Sequence, residues 1–127
     1  MSRVLIGGNL ILDERYKTTE TKTGATWTDG KPIYRKVVTF TTQNASPGTN
    51  TVALGITNRA LITHVEVFVQ NSTGIFYPFS FYVSSSGNYS RFYISGTSTN
   101  NLVIYFQNSD MKNQPGYCIV EYTKTTD

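Results

Sequence analysis

The residues that could do chemistry in this chain of 127 are few, and their spacing does not suit it. The single histidine, His64, stands two residues from Glu66 in the run Leu61 to Gln70, where apolar residues alternate. A strand sends successive side chains to opposite sides, so His64, Glu66 and Gln70 fall on the outer face with Phe68, while Thr63, Val65, Val67 and Val69 point inward. A zinc site recruits three or four Cys, His or carboxylate groups, and beyond Glu66 no Cys, Asp or second His lies at ligand spacing from His64. A surface histidine is expected here, and no metal. Cys118 is alone in the apolar run Tyr117 to Tyr122, so no intrachain disulfide can form. A reactive thiol needs an electropositive, accessible setting, and this run predicts a core thiol instead. Carboxylates that hydrolyse glycosides must face one another across a cleft. Asp29, Glu66, Asp110 and Glu121 lie near expected strands at spacings that bring no two together, and Asp13-Glu14 falls in a polar segment. No Gly-x-Ser-x-Gly elbow and no phosphate-cradling glycine loop is present. The chain reads as non-enzymatic and without a cofactor.

The elements that would position these residues are strands. Thr, Ser and Asn number 19, 11 and 10, and aromatics make up 13% of the chain. β-branched and aromatic side chains suit a pleated, half-buried surface, and Asn, Ser and Gly supply the turns between strands. Strands are expected at Arg3 to Ile6, Ile33 to Thr42, Thr51 to Ile56, Leu61 to Gln70, Pro78 to Ser84, Tyr89 to Ser95, Leu102 to Gln107 and Tyr117 to Lys124. Turn chemistry every eight to twelve residues separates them, and Asn108 to Gly116 has room for one short helical turn. The inward set is Val52, Leu54, Ile56, Val65, Val67, Val69, Phe79, Phe81, Val83, Phe92, Ile94, Leu102, Ile104 and Phe106. The pattern predicts an all-β fold, an antiparallel β-sandwich of about eight strands, jelly-roll-like in arrangement. Residues 1–25 are expected as an extended N-terminal arm, because Asn9 to Ala25 is polar and Thr-rich, and residues 26–127 as the sandwich domain.

Charge excludes one class of partner. The net charge of +3 is spread along the chain, and only Arg35-Lys36 places two basic residues together. Nucleic-acid binding at physiological salt needs several phosphate contacts, so none is expected. No apolar run reaches eighteen residues, and the one near Met1 is short for a signal peptide, which predicts a chain made in the cytoplasm without a membrane stage. The Asn-x-Ser/Thr triplets at Asn44, Asn71 and Asn88 follow from composition alone.

One surface stands out. If Ser85 to Asn88 and Gly96 to Asn101 close consecutive hairpins, three neighbouring strands turn Tyr82, Tyr89, Arg91, Tyr93 and Tyr105 to one outer face. Tyr and Arg combine stacking area with a polar tip, the combination used where a flat surface meets a sugar ring or another protein. These five residues are the candidate glycan or subunit interface.

The most specific stretch is Trp27-Thr-Asp29-Gly30-Lys31-Pro32-Ile33-Tyr34-Arg35-Lys36, preceded by Tyr16-Lys-Thr-Thr-Glu20. Asp29-Gly30 supplies a tight turn, Pro32 stiffens its exit, Ile33 onward continues as a strand, and Trp27 is free to fold over that strand. This string resembles a module that recurs in bacteriophage virion proteins: tail-fibre and baseplate components, receptor-binding proteins and head fibres. The resemblance is close over Tyr16 to Lys36 and general over the β-rich remainder. It implies a β-sandwich building block that assembles with itself, commonly as a homotrimer, sits among other virion proteins and meets host cell-wall polysaccharide. The location it implies is the virion, after synthesis in the host cytoplasm. A stand-alone, non-catalytic carbohydrate-binding module, binding through Tyr89 and Tyr93, is the alternative reading of the chain.

Overall fold

Leu102, Ile104 and Phe106 are fully buried, and Asn101, Val103 and Tyr105 between them are half-buried, the two-residue period of a strand with one covered face. The computed structural model describes residues 2–6, 9–13, 15–44, 48–78, 81–83, 88–96, 100–107 and 109–127, with side chains described for 15–44, 48–78, 91–96, 100–107 and 110–127. Among them the strands are β1 (Ser2–Ile6), β2 (Asn9–Asp13), β3 (Thr21–Thr26), β4 (Pro32–Thr41), β5 (Gly48–Ala53), β6 (Arg59–Gln70), β7 (Phe76–Pro78), β8 (Phe81–Val83), β9 (Asn88–Ser95), β10 (Asn101–Phe106) and β11 (Pro115–Lys124). A single 3-10 turn, Ser109–Met111, lies in the loop where a helical turn was expected.

The strands form a β1-β2 hairpin, a four-stranded sheet ordered β5-β10-β9-β8 and a five-stranded sheet ordered β3-β4-β11-β6-β7. Pairing is antiparallel. Ile104 lies opposite Phe92 on one side and Asn50 on the other. Along β4 and β11, Thr42 N–H donates to Gln114 O near one end, and Arg35 pairs with Glu121 toward the other. The all-β antiparallel sandwich expected from the sequence is therefore present. Jelly-roll connectivity is not confirmed by this order, in which consecutive strands pair at β1-β2, β3-β4, β6-β7, β8-β9 and β9-β10.

Each expected strand overlaps an observed one, although the one read at Thr51 to Ile56 runs Gly48–Ala53 and β2 was not expected; two further differences concern the five-stranded sheet. The run Pro78 to Ser84 is divided: β7 ends at Pro78 in the five-stranded sheet, and β8 begins at Phe81 in the four-stranded one. Either sheet asks for the same alternation, so the pattern cannot show the change of partner. Phe79, Ser80 and Ser84, the turn at 85–87, and the side chains of Phe81, Tyr82, Val83 and Tyr89 lie outside the described residues. The second difference is in the segment read as an arm, where Thr21–Thr26 is the edge strand of the five-stranded sheet and β1 approaches β3. Thr-Lys-Thr-Gly-Ala-Thr has no apolar alternation of its own. Its order comes from its partner: Thr21, Lys22 and Thr26 lie opposite Arg35, Tyr34 and Pro32, and the buried Thr23 hydroxyl donates to Ile33 O at 3.0 Å. The register shifts between Lys22 and Thr26, where Gly24 takes a φ of +88°, a bulge that blunts the exposed edge.

By its contacts the chain divides into two compact units. The first comprises Met1–Val37, Thr57–Val65 and Ile119–Asp127, and it buries Ile33, Tyr34, Val120 and Tyr122. The second comprises Val38–Ile56 and Glu66–Cys118. It buries Leu54, Ile56, Leu102, Ile104, Phe106 and Met111, together with Val67, Val69 and Cys118 of the five-stranded sheet, the filled interior of a two-sheet sandwich. Fully burying each large aliphatic or aromatic side chain contributes roughly 1.5–3 kcal/mol, so these rows hold the sheets together. Within this unit Phe40 lies over Gly116, whose missing side chain leaves the space: a Cβ there would come within 2.7 Å of the Phe40 ring and 2.9 Å of Phe68 O.

Candidate functional site

The turn before β4 is built as its sequence requires. Trp27 N–H donates to Lys31 O and Gly30 N–H to Trp27 O, each at 2.9 Å, and Asp29 Oδ1 accepts the Lys31 N–H at 3.0 Å. Gly30 has a φ of +86°, the left-handed position that closes a three-residue hairpin loop with a bulge. Trp27, at the start of this turn, is 36% exposed. Beyond it, the residues that carry the resemblance converge on the far end of β11. Tyr34 stacks on Tyr122 with ring centroids 6.0 Å apart and donates its hydroxyl to Asp127 Oδ2 at 2.5 Å. Lys124 and Lys22 place their ammonium groups 5.2 and 5.9 Å from the Tyr34 ring centroid. Glu20 accepts the Tyr122 hydroxyl at 2.5 Å and the Lys124 ammonium at 2.7 Å. Lys31 Nζ donates to Lys124 O, and Arg35 holds Glu121 Oε2 at 2.8 Å through two nitrogens while lying 4.4 Å from the Tyr16 ring centroid.

The electrostatics of this clamp follow from its contacts. Burial pushes the Glu20 carboxyl up, but hydrogen bonds from Lys124 and Tyr122 and the charges of Lys124 and Lys36 outweigh it and hold the group below its ordinary value. The Tyr34 hydroxyl is pushed up to about 12 by its bond to Asp127, by burial and by the charges of Asp127 and Glu20. Tyr122 is raised further, first by burial and then by Glu20. These tyrosines therefore stay protonated donors, and the clamp does structural work.

The strands of the four-stranded sheet carry the residues singled out for recognition. Arg91 lies opposite Tyr105, and Tyr93 opposite Val103. The Arg91 guanidinium sits 5.2 Å from the Tyr105 ring centroid, and Gln107 Nε2 donates to the Tyr105 hydroxyl at 3.2 Å. Tyr93 is 57% exposed. Tyr82 and Tyr89 are backbone partners in the adjoining pair of strands. The register thus brings Arg91, Tyr93 and Tyr105 to neighbouring positions, with the chain of Tyr82 and Tyr89 alongside.

A second surface was not anticipated. A shallow groove of about 510 Å³ lies on the five-stranded sheet, lined by Thr39, Phe40, Thr41, Phe76, Pro115, Gly116 and Tyr117. Tyr117 stacks on Phe68 at 5.3 Å and meets Phe76 at 6.2 Å, while Phe76 remains 50% exposed. These residues come from three places in the sequence, so no local spacing could have revealed them.

The residues with catalytic potential are dispersed. His64 and Glu66 are exposed on β6, and Cys118 is fully buried with its thiol pushed up to about 12 by that burial. Among the described residues no three His, Cys, Asp or Glu side chains are placed to hold a metal, and no helix is long and apolar enough to cross a membrane. No protein-family model, curated protein or solved structure matches the chain.

Proposed function

We propose that the chain is a bacteriophage virion structural protein, a fibre, tail-tip or head-decoration module that assembles with itself and adheres to host-surface polysaccharide. One observation carries this reading. The residues on which the resemblance rests act together: Tyr16, Glu20, Tyr34 and Arg35 each engage another residue of the same clamp or β11 itself. A string whose members lock a hairpin to a distant strand is a building block, and a building block is what the resemblance implies. Its partners are further copies of itself, as a homotrimer, and other virion proteins, and its place is the virion after synthesis in the host cytoplasm. Adhesion falls to the face of Arg91, Tyr93 and Tyr105 with Tyr82 and Tyr89 beside it, since exposed tyrosine and arginine offer stacking area with polar tips.

Mass spectrometry of purified particles with immunogold labelling tests this. The reading expects the chain in particles at a fixed site, and light scattering of the isolated protein at the mass of a trimer. A chain absent from particles overturns it. The exposed Tyr93 beside Arg91 favours one alternative, a monomeric carbohydrate-binding module without a virion role. A monomer that binds soluble glycans through Tyr89 and Tyr93 supports that alternative.

A further inference from the structure

The groove at Phe76 and Tyr117 is separate from the tyrosine face, and its construction narrows what could occupy it. Phe76 is half exposed, yet the turn before it is held tightly. Asn71, 8% exposed, uses its Oδ1 to accept from Thr73 N–H, the Thr73 hydroxyl and Ile75 N–H at 2.8–3.0 Å. Its backbone adds bonds to Ile75 and Gly74. Phe76 and Tyr117 thus form a fixed aromatic surface that stays open to solvent.

The lining then selects the ligand. None of the residues lining the groove is charged, so nothing there repays the desolvation of an ionised ligand. Tyr117, backed by Phe68, offers an aromatic platform, with Phe76 tilted at 51° beside it. Around that platform stand three hydroxyls, those of Thr39, Thr41 and Tyr117, none of which has a hydrogen-bond partner among the described residues. An added peptide strand is disfavoured, because β7 is three residues long and ends in Pro78, which has no N–H to offer. A purely apolar ligand would leave the hydroxyls unpaired. The volume falls within the roughly 300–1,000 Å³ of small-ligand sites.

We infer that this groove binds a neutral pyranose, its ring face stacked on Tyr117 and Phe76 and its hydroxyls bonded to Thr39, Thr41 and the Tyr117 hydroxyl. The inference concerns the isolated chain and holds whether or not the protein belongs to a virion, so particle analysis and the following titration fail independently.

Neutral methyl pyranosides of the gluco, galacto and N-acetylglucosamine types are titrated into the full chain, with backbone amide shifts as the readout. At least one is expected to move amides at 39–41, 76 and 116–117 with millimolar affinity. Phe76→Ala should weaken it about two- to tenfold, the scale of one lost stacking contact. Tyr117→Phe, which keeps the ring and the fold, should weaken it less, and Tyr93→Ala should leave it unchanged. The inference is overturned if none of the three sugars shifts the groove, if shifts map only to Arg91, Tyr93 and Tyr105, or if a glucuronide or a proline-rich peptide binds the groove more tightly than the neutral sugars.

Discussion

Glu20 shows how much rests on one exposed-looking side chain. It lies in a polar segment, yet it holds a tyrosine and a lysine 102 and 104 residues away. Because its folded-state carboxyl is held below the ordinary 4.5, it stabilises the native state above that value and loses the contribution as pH falls through the lowered one. Glu20→Gln should therefore lower the melting temperature near neutral pH and flatten its decline as the pH falls below 4.5, as followed by circular dichroism in matched buffers. A variant whose acid limb matches the parent's would show that Glu20 does not act through ionisation. Glu20, Tyr34 and Arg35 lie in the string singled out in the sequence, but their roles were not legible there. Spacing reports neighbours along the chain, and Glu20, Tyr34 and Arg35 find their partners near residue 122.

At the scale of elements, the two glycines Gly30 and Gly116 separate strain from space. Gly30 has a φ of +86° and nothing within 4 Å of a built Cβ, so Gly30→Ala brings only the left-handed backbone cost of about 1–2 kcal/mol. Gly116 is in ordinary strand conformation but would drive a methyl group into Phe40 and the backbone at Phe68, an overpacking that costs about 1–3 kcal/mol or more. Denaturant unfolding of Gly116→Ala, alone and with Phe40→Ala, should show the double variant recovering part of the loss, whereas Phe40→Ala should not rescue Gly30→Ala. Elements with their own apolar alternation were legible. In β6, Val67 and Val69 are buried and His64 and Glu66 exposed as read, and Leu102, Ile104 and Phe106 of β10 behave likewise. Elements defined by a partner were not. β3 owes its form to β4, and the run expected through Pro78 changes sheets, which alternation does not record.

For the whole molecule, Cys118 is a built-in reporter. It is fully buried in β11, and its thiol is pushed up to about 12, so little thiolate exists at neutral pH and no reagent reaches it in the folded chain. Reaction with a disulfide dye should follow global opening, accelerating with denaturant in step with the loss of circular dichroism. Fast labelling in the absence of denaturant would mean that β11 opens locally. The class of the fold was readable at this scale because composition and turn spacing act over the full length. The Phe76 and Tyr117 groove was not, since it exists only once residues 39–41, 76 and 115–117 share a sheet.

The position of β11 between β4 and β6 bears on the order of events during synthesis. Both flanking strands leave the ribosome before the strand that joins them. Until residues 115–124 have been translated, β4 and β6 each present an open ladder, and the long-range pairings that dominate this sheet cannot close. The nascent chain must therefore wait, with the inner edges of β4 and β6 exposed, for its central strand, while the bulged β3 and the short, proline-ended β7 guard only the sheet's outer margins.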